Sequence, residues 1–355
     1  MNSRIKRFSR RFFIAISTAA LIVACNQTQS EQTEAEPQTE AGSNGQVNIY
    51  SSRHYNTDDE LYDNFTEQTG IEVNLIEGKA DELIERIKSE GANSPADILI
   101  TVDAGRLWRA AEAGIFASIE SEILEAKIPE NLQDPDNQWF GFSKRARVIM
   151  YNKDTVDPAE LSTYEDLVDP KWKGRFIVRS SNNIYNQSLV AGMIEEKGEE
   201  ATAEWIKKLV ANFARTPQGN DTSQIEDVAA GIGDVTLANT YYLARYEDNP
   251  EIFDKIGVIF PNQDGRGAHV NISGAGLLKN APNKENAIVF LEYLASPEAQ
   301  EFFASGNNEY PVVKGTSANP VVKSFGDFKA DTTNVSAYGK NNADAVKIMD
   351  RSGWK

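Results

Sequence analysis

From residue 47 onward, short apolar runs alternate with amphipathic stretches of helical period. Residues 47–50 form a β-prone run, and Thr57-Asp58-Asp59-Glu60 reads as a helix start, with Thr57 as N-cap and Glu60 at the capping-box position. Leu61, Tyr62 and Phe65 supply the apolar face of that helix, and Gly70 ends it. Residues 71–76 predict a second strand, 80–89 a helix with Leu83, Ile84 and Ile87 on one stripe, 97–101 a buried strand and 106–113 a helix. This β-α-β-α-β order predicts a parallel sheet with helices on both faces.

Strands at 148–151 and 175–178 open a second series. Its helices are expected at 186–195, 202–211 and 222–230, with strands at 234–238, 256–260 and 269–272. An apolar stretch at 275–279, a helix at 285–295 and a helical turn at 297–303 follow. Two α/β lobes joined by crossing strands leave a cleft, and ligand sites in such sheets lie at the C-terminal ends of strands. The expected layout places the first lobe over 46–142 and about 256–300, and the second over about 143–255 and 301–355.

The first 45 residues follow different rules. Arg4, Lys6, Arg7, Arg10 and Arg11 precede an apolar run at 12–24 broken only by Ser17 and Thr18. That run is shorter than the about 20 residues that span a bilayer, so it reads as an export signal over 1–25. Ser9-Arg10-Arg11-Phe12-Phe13 fits the twin-arginine pattern, and Ile22-Val23-Ala24-Cys25 resembles a lipobox in which Cys25 is acylated. Cys25 is the single cysteine, so lipidation leaves neither a free thiol nor a disulfide. Residues 26–45 are rich in Gln, Glu, Thr, Ser and Gly and read as an acidic, disordered tether. The body of roughly 310 residues is large enough for two lobes.

The net charge is −17, and loss of the basic leader leaves the remainder more acidic still. This argues against nucleic acid as a partner. Catalysis has little support. There is no P-loop, no Gly-x-Ser-x-Gly, no His-Glu-x-x-His and no Cys-x-x-Cys, and two histidines with one cysteine leave few nucleophile–base pairs.

The candidate chemistry lies in three strand-to-helix connections: Ser52-Arg53-His54-Tyr55, Asn183-Ile184-Tyr185-Asn186 and Asn239-Thr240-Tyr241-Tyr242. Together they offer one imidazole and four phenols. Any one of the 12 tyrosines taken alone is most simply a packing residue. However, the adjacent Tyr241 and Tyr242 cannot both face a core from one helix. A tyrosine ligates metal as phenolate, and anionic oxygen suits a hard trication such as Fe(III). The N-terminus of a helix is expected to help ionise Tyr241 and Tyr242. Arg53, Arg145 and Arg147 are candidates by position to offset the phenolate charge, and His269, in an alternating run, reads as structural.

The segments "SSRHYNTDDELYDNFTEQTG", "NIYNQSLVA", "TPQGNDTSQIEDVAAG", "TLANTYYLARY" and "GRGAHVNISGAG", with others running to the C-terminal "DAVKIMDRSGWK", resemble the periplasmic ferric-binding proteins of ABC iron importers. The resemblance is to their cyanobacterial branch, the iron-deficiency-induced protein A group. It implies a type II periplasmic-binding-protein fold, with two α/β lobes joined by crossover strands around the cleft. It also implies that His54 and Tyr55 from the first lobe, and Tyr185, Tyr241 and Tyr242 from the second, hold Fe(III) with no organic cofactor. The partners so implied are a membrane permease and its ATPase, with the chain a periplasmic monomer anchored by lipid on Cys25. Two other readings keep the same fold: a receptor for another solute such as a polyamine, thiamine or an oxyanion, and a protective partner of photosystems under iron stress.

Overall fold

The computed structural model describes residues 45–355 except Asn56. The expected leader, Cys25 and the tether to residue 44 lie outside the described residues. No helix among the described residues is long and apolar enough to cross a membrane.

Among the described residues, nine strands form one curled mixed sheet: β1 (Gln46–Ser51), β2 (Glu72–Glu77), β3 (Ile98–Thr101), β4 (Trp139–Asn152), β5 (Phe176–Ile177), β6 (Val235–Asn239), β7 (Ile256–Ile259), β8 (Val270–Leu277) and β9 (Tyr310–Pro311). Their order is β2-β1-β3-β8-β4-β6-β5, with β7 and β9 also paired to β4. β1 runs parallel to both β2 and β3, as the alternation of strands and helices requires. The two halves of the sheet share β4. Its first part, Trp139 to Ala146, pairs antiparallel with β8. From Arg147 to Tyr151 it pairs with β6, and from Ile149 to Asn152 with β7. One continuous strand thus belongs to both halves of the sheet, and the register of Arg147 with Asn239 fixes where β6 delivers the chain to its following helix.

Apolar burial holds each half. In the first, the helix Asp58–Thr69 turns Leu61, Tyr62 and Phe65 inward, and Phe65 meets Phe290 of the helix Lys284–Leu294 edge-on, with ring centroids 5.0 Å apart. In the second, Val148, Met150, Ile177, Ile225, Val228 and Ile256 form their own buried cluster. Each large apolar side chain taken fully out of water contributes about 1.5–3 kcal/mol.

Three local expectations change. The helix begins at Asp58 as predicted, but Thr57 makes no side-chain cap, because its hydroxyl donates instead to Asn307 Oδ1 at 2.8 Å. The stretches at 269–272 and 275–279 are one strand, β8. Gly274 and Gly276 do not break it but permit close packing: a Cβ would lie 2.6 Å from the Phe140 carbonyl at Gly274, and 2.7 Å from that of Gln138 at Gly276. The turn at 297–303 is a full helix, Pro297–Asn307.

Candidate metal centre

Each tyrosine is placed by the start of a helix. After β1 the chain turns through Arg53, whose amide donates to Ser51 Oγ, and the Tyr55 carbonyl accepts from the Asp58 amide at 2.8 Å as the first helix begins. Asn183 caps the helix Ile184–Lys197 by accepting from the Tyr185 amide, so Tyr185 lies in the first turn of that helix. Tyr241 and Tyr242 occupy the short helix Thr240–Ala244 directly after β6.

The four phenols converge. The Tyr241 hydroxyl donates to the Tyr185 hydroxyl at 3.4 Å. The rings of Tyr241 and Tyr242 lie 4.2 Å apart at 31°. The Arg245 guanidinium sits over three of the rings, 5.1 Å from Tyr241, 5.3 Å from Tyr242 and 5.8 Å from Tyr55. Arg53 lies over Tyr55 at 4.6 Å, and Arg145 over Tyr185 at 5.5 Å. As expected for neighbours on one helix, Tyr241 is fully buried and Tyr242 only half-buried.

His54 takes a different direction. Its Nδ1 lies 3.2 Å from Glu77 Oε1 at the end of β2, and its ring is half-exposed. The fifth candidate ligand therefore stands beside Tyr55 in sequence but is paired with a carboxylate in this conformation.

A buried ion network carries the Tyr55 loop. Arg53 Nε donates to Asp58 at 2.7 Å, and its terminal nitrogen donates to Glu309 at 2.7 Å and to Ser273 at 2.9 Å. Glu309 also accepts from Ser143 of β4 at 3.0 Å. Arg145 donates to Ser273 at 3.1 Å and to the Val102 carbonyl. Arg147, the third arginine singled out by position, points elsewhere, to Asp221, Asn186 and Asn239.

Electrostatics keep the phenols protonated. Burial, and next the Glu309 carboxylate, push Tyr55 up to about 12, against the opposing pull of Arg53 and Arg145. Burial also raises Tyr185, with Arg145 working against it, and raises Tyr242, with Asp221 adding to the effect. Burial, and then its three phenol neighbours, hold Tyr241 well above the usual phenol range. Tyr241 and Tyr242 lie in the first turn of the helix Thr240–Ala244, and burial is the largest influence on both phenols. A strongly charged cation is what such a site needs before it ionises.

Three residues of the site, Glu77, Arg245 and Glu309, lie outside the sequence motifs. Arg245 carries a local signal, one helical turn beyond Tyr241 and Tyr242; Glu77 and Glu309 carry none. His269 is buried against Tyr338, a structural place as expected. Among the described residues, no three His, Cys, Asp or Glu side chains are arranged to hold a metal. A surface hollow of 670 Å³ lined by Glu160, Asp169, Lys171 and Lys208 contains none of the site tyrosines.

Residues 60–330 match the model of the family described as bacterial extracellular solute-binding protein. Iron uptake protein A1 of Synechocystis is 57% identical over 99% of this chain and 100% of its own length, and the Fe(3+)-binding periplasmic protein of Serratia marcescens is 30% identical over 86% of this chain and 89% of its own. The Trichodesmium protein IdiA (FutA), solved in complex with iron and citrate ligands, superposes with a TM-score of 0.85 at 65% identity, covering 88% of this chain and 100% of that one.

Proposed function

This chain belongs to the bacterial extracellular solute-binding protein family, and we propose that its solute is Fe(III), held by Tyr55, Tyr185, Tyr241 and Tyr242 with His54 as a fifth ligand. The observation that carries this reading is the convergence of four phenols from three distant segments, with Arg53, Arg145 and Arg245 facing them. Each phenol that binds gives up one proton, and four phenolates outweigh the +3 of the ion. The guanidiniums offset that excess in a partly dry site, where charge interactions are stronger than in water. Fe(II), with less charge, recovers less of the cost of ionising buried phenols, so the site favours the oxidised ion. The names of the relatives support the same solute.

The chain acts as a carrier, with no catalytic step. The lobes close on the ion, and the loaded monomer docks on a membrane permease driven by an ATPase, as an ABC importer requires. It works in the periplasm, exported by the twin-arginine route and tethered through lipid on Cys25. Equilibrium dialysis against ferric citrate tests the solute. One iron per chain is expected, with loss of binding when the four tyrosines are changed to Phe; retention of iron by that variant overturns the ligand set.

A further inference from the structure

His54 Nδ1 and Glu77 Oε1 lie 3.2 Å apart, and both side chains are about half-exposed (52% and 47%). An exposed pair of this kind contributes little to folding. Stability therefore gives little reason for it, whereas placement beside the tyrosine cluster does. We propose that Glu77 is a positioning residue for His54: its carboxylate accepts the Nδ1 proton and leaves Nε2 as the nitrogen that ligates iron. This rests on the iron reading above and deepens it.

The backbone supports the pairing. β1 and β2 are parallel with Ser51 in register with Glu77, and the Gly78 amide donates to the Ser51 carbonyl at 3.0 Å. The carboxylate is therefore fixed at a strand end beside the loop that carries His54. That loop is itself held on both sides: Arg53 is anchored by Asp58 and Glu309, and the Tyr55 carbonyl accepts from Asp58. A neutral imidazole has one donor and one acceptor nitrogen, and a carboxylate only accepts. With Nδ1 donating to Glu77, Nε2 holds the free lone pair. A carboxylate behind a metal-bound histidine fixes the tautomer, orients the ring and makes the ligand more basic, and its loss commonly weakens metal binding 10–100-fold.

The test is Fe(III) affinity of the full chain, measured by competition with citrate and read from the iron–tyrosinate absorption. Glu77→Ala is expected to weaken binding about tenfold. Glu77→Gln, whose amide oxygen still accepts from Nδ1, is expected to stay close to wild type. In a His54→Ala background, Glu77→Ala is expected to have no further effect. An equal loss with and without His54, or a loss in Glu77→Gln as large as in Glu77→Ala, identifies Glu77 as a bare charge and overturns the proposal. Unchanged affinity in Glu77→Ala also overturns it. A wild-type chain that shows no iron–tyrosinate absorption overturns the iron reading itself, a separate result.

Discussion

The hydroxyl of Tyr241 donates to that of Tyr185, which lies 56 positions away in sequence, at 3.4 Å. The bond is long and neutral, so its net contribution to stability is about 1 kcal/mol or less. Two buried hydroxyls joined by so weak a bond contribute little to holding the fold. Changing Tyr241 and Tyr242 to Phe is therefore expected to abolish iron binding while moving the unfolding free energy by about 1 kcal/mol or less. Iron dialysis and urea unfolding on the same preparation separate the two effects. Loss of iron with a collapse in stability contradicts a ligand role.

Arg245 spans three of the rings yet is itself exposed. Its truncation leaves no buried charge unpaired. Arg245→Ala should leave the fold intact and weaken Fe(III) binding by about two- to fivefold, in line with about 0.5–1 kcal/mol for a cation over an exposed aromatic face. Citrate competition measures this, and unchanged affinity removes Arg245 from the site.

Arg53 behaves differently, because Asp58 and Glu309 depend on it in the interior. Removing one member of a buried ion network leaves an uncompensated charge and costs about 3–5 kcal/mol. Arg53→Met is expected to lower the urea midpoint by a corresponding amount. A near-neutral result means that the network is supported by groups other than Arg53.

His269 sets a pH dependence away from the tyrosines. Burial, and then Arg266, Arg147 and Arg145, hold its imidazole well below 6.5. The unfolded chain takes up a proton below about pH 6.5 that the folded chain refuses. The contribution of His269 to stability is thus fully present above 6.5 and is lost as pH falls toward the folded value. One such group gives a slope of about 1.4 kcal/mol per pH unit. His269→Gln should flatten the loss of stability between pH 6.5 and 5 by up to that slope, measured by urea unfolding at stepped pH. An unaltered slope assigns the acid sensitivity to other groups.

How much of this was legible in the sequence depends on whether partners are local. The strands β1 and β3 and the helix Asp58–Thr69 follow from periodicity alone, because each buries one continuous apolar pattern. The first part of β4 does not. Lys144, Arg145 and Arg147 interrupt its apolar run, yet both arginines are fully buried. Their compensation comes from Glu309 and Asp221, far away in sequence, and no local rule reports it. The same limit applies at the site. The tyrosines could be picked out because they cluster at strand-to-helix connections. The direction of His54 depends on Glu77 at a neighbouring strand end, which only the β1–β2 register brings close.

The most direct measurement is the visible spectrum of the purified chain titrated with ferric citrate. Phenolate bound to Fe(III) produces a charge-transfer band that neither partner shows alone. A coloured complex is expected that saturates at one iron per chain and disappears in the Tyr241→Phe, Tyr242→Phe variant. A chain that stays colourless through the titration, or one whose band survives both substitutions, contradicts a tyrosine site for Fe(III).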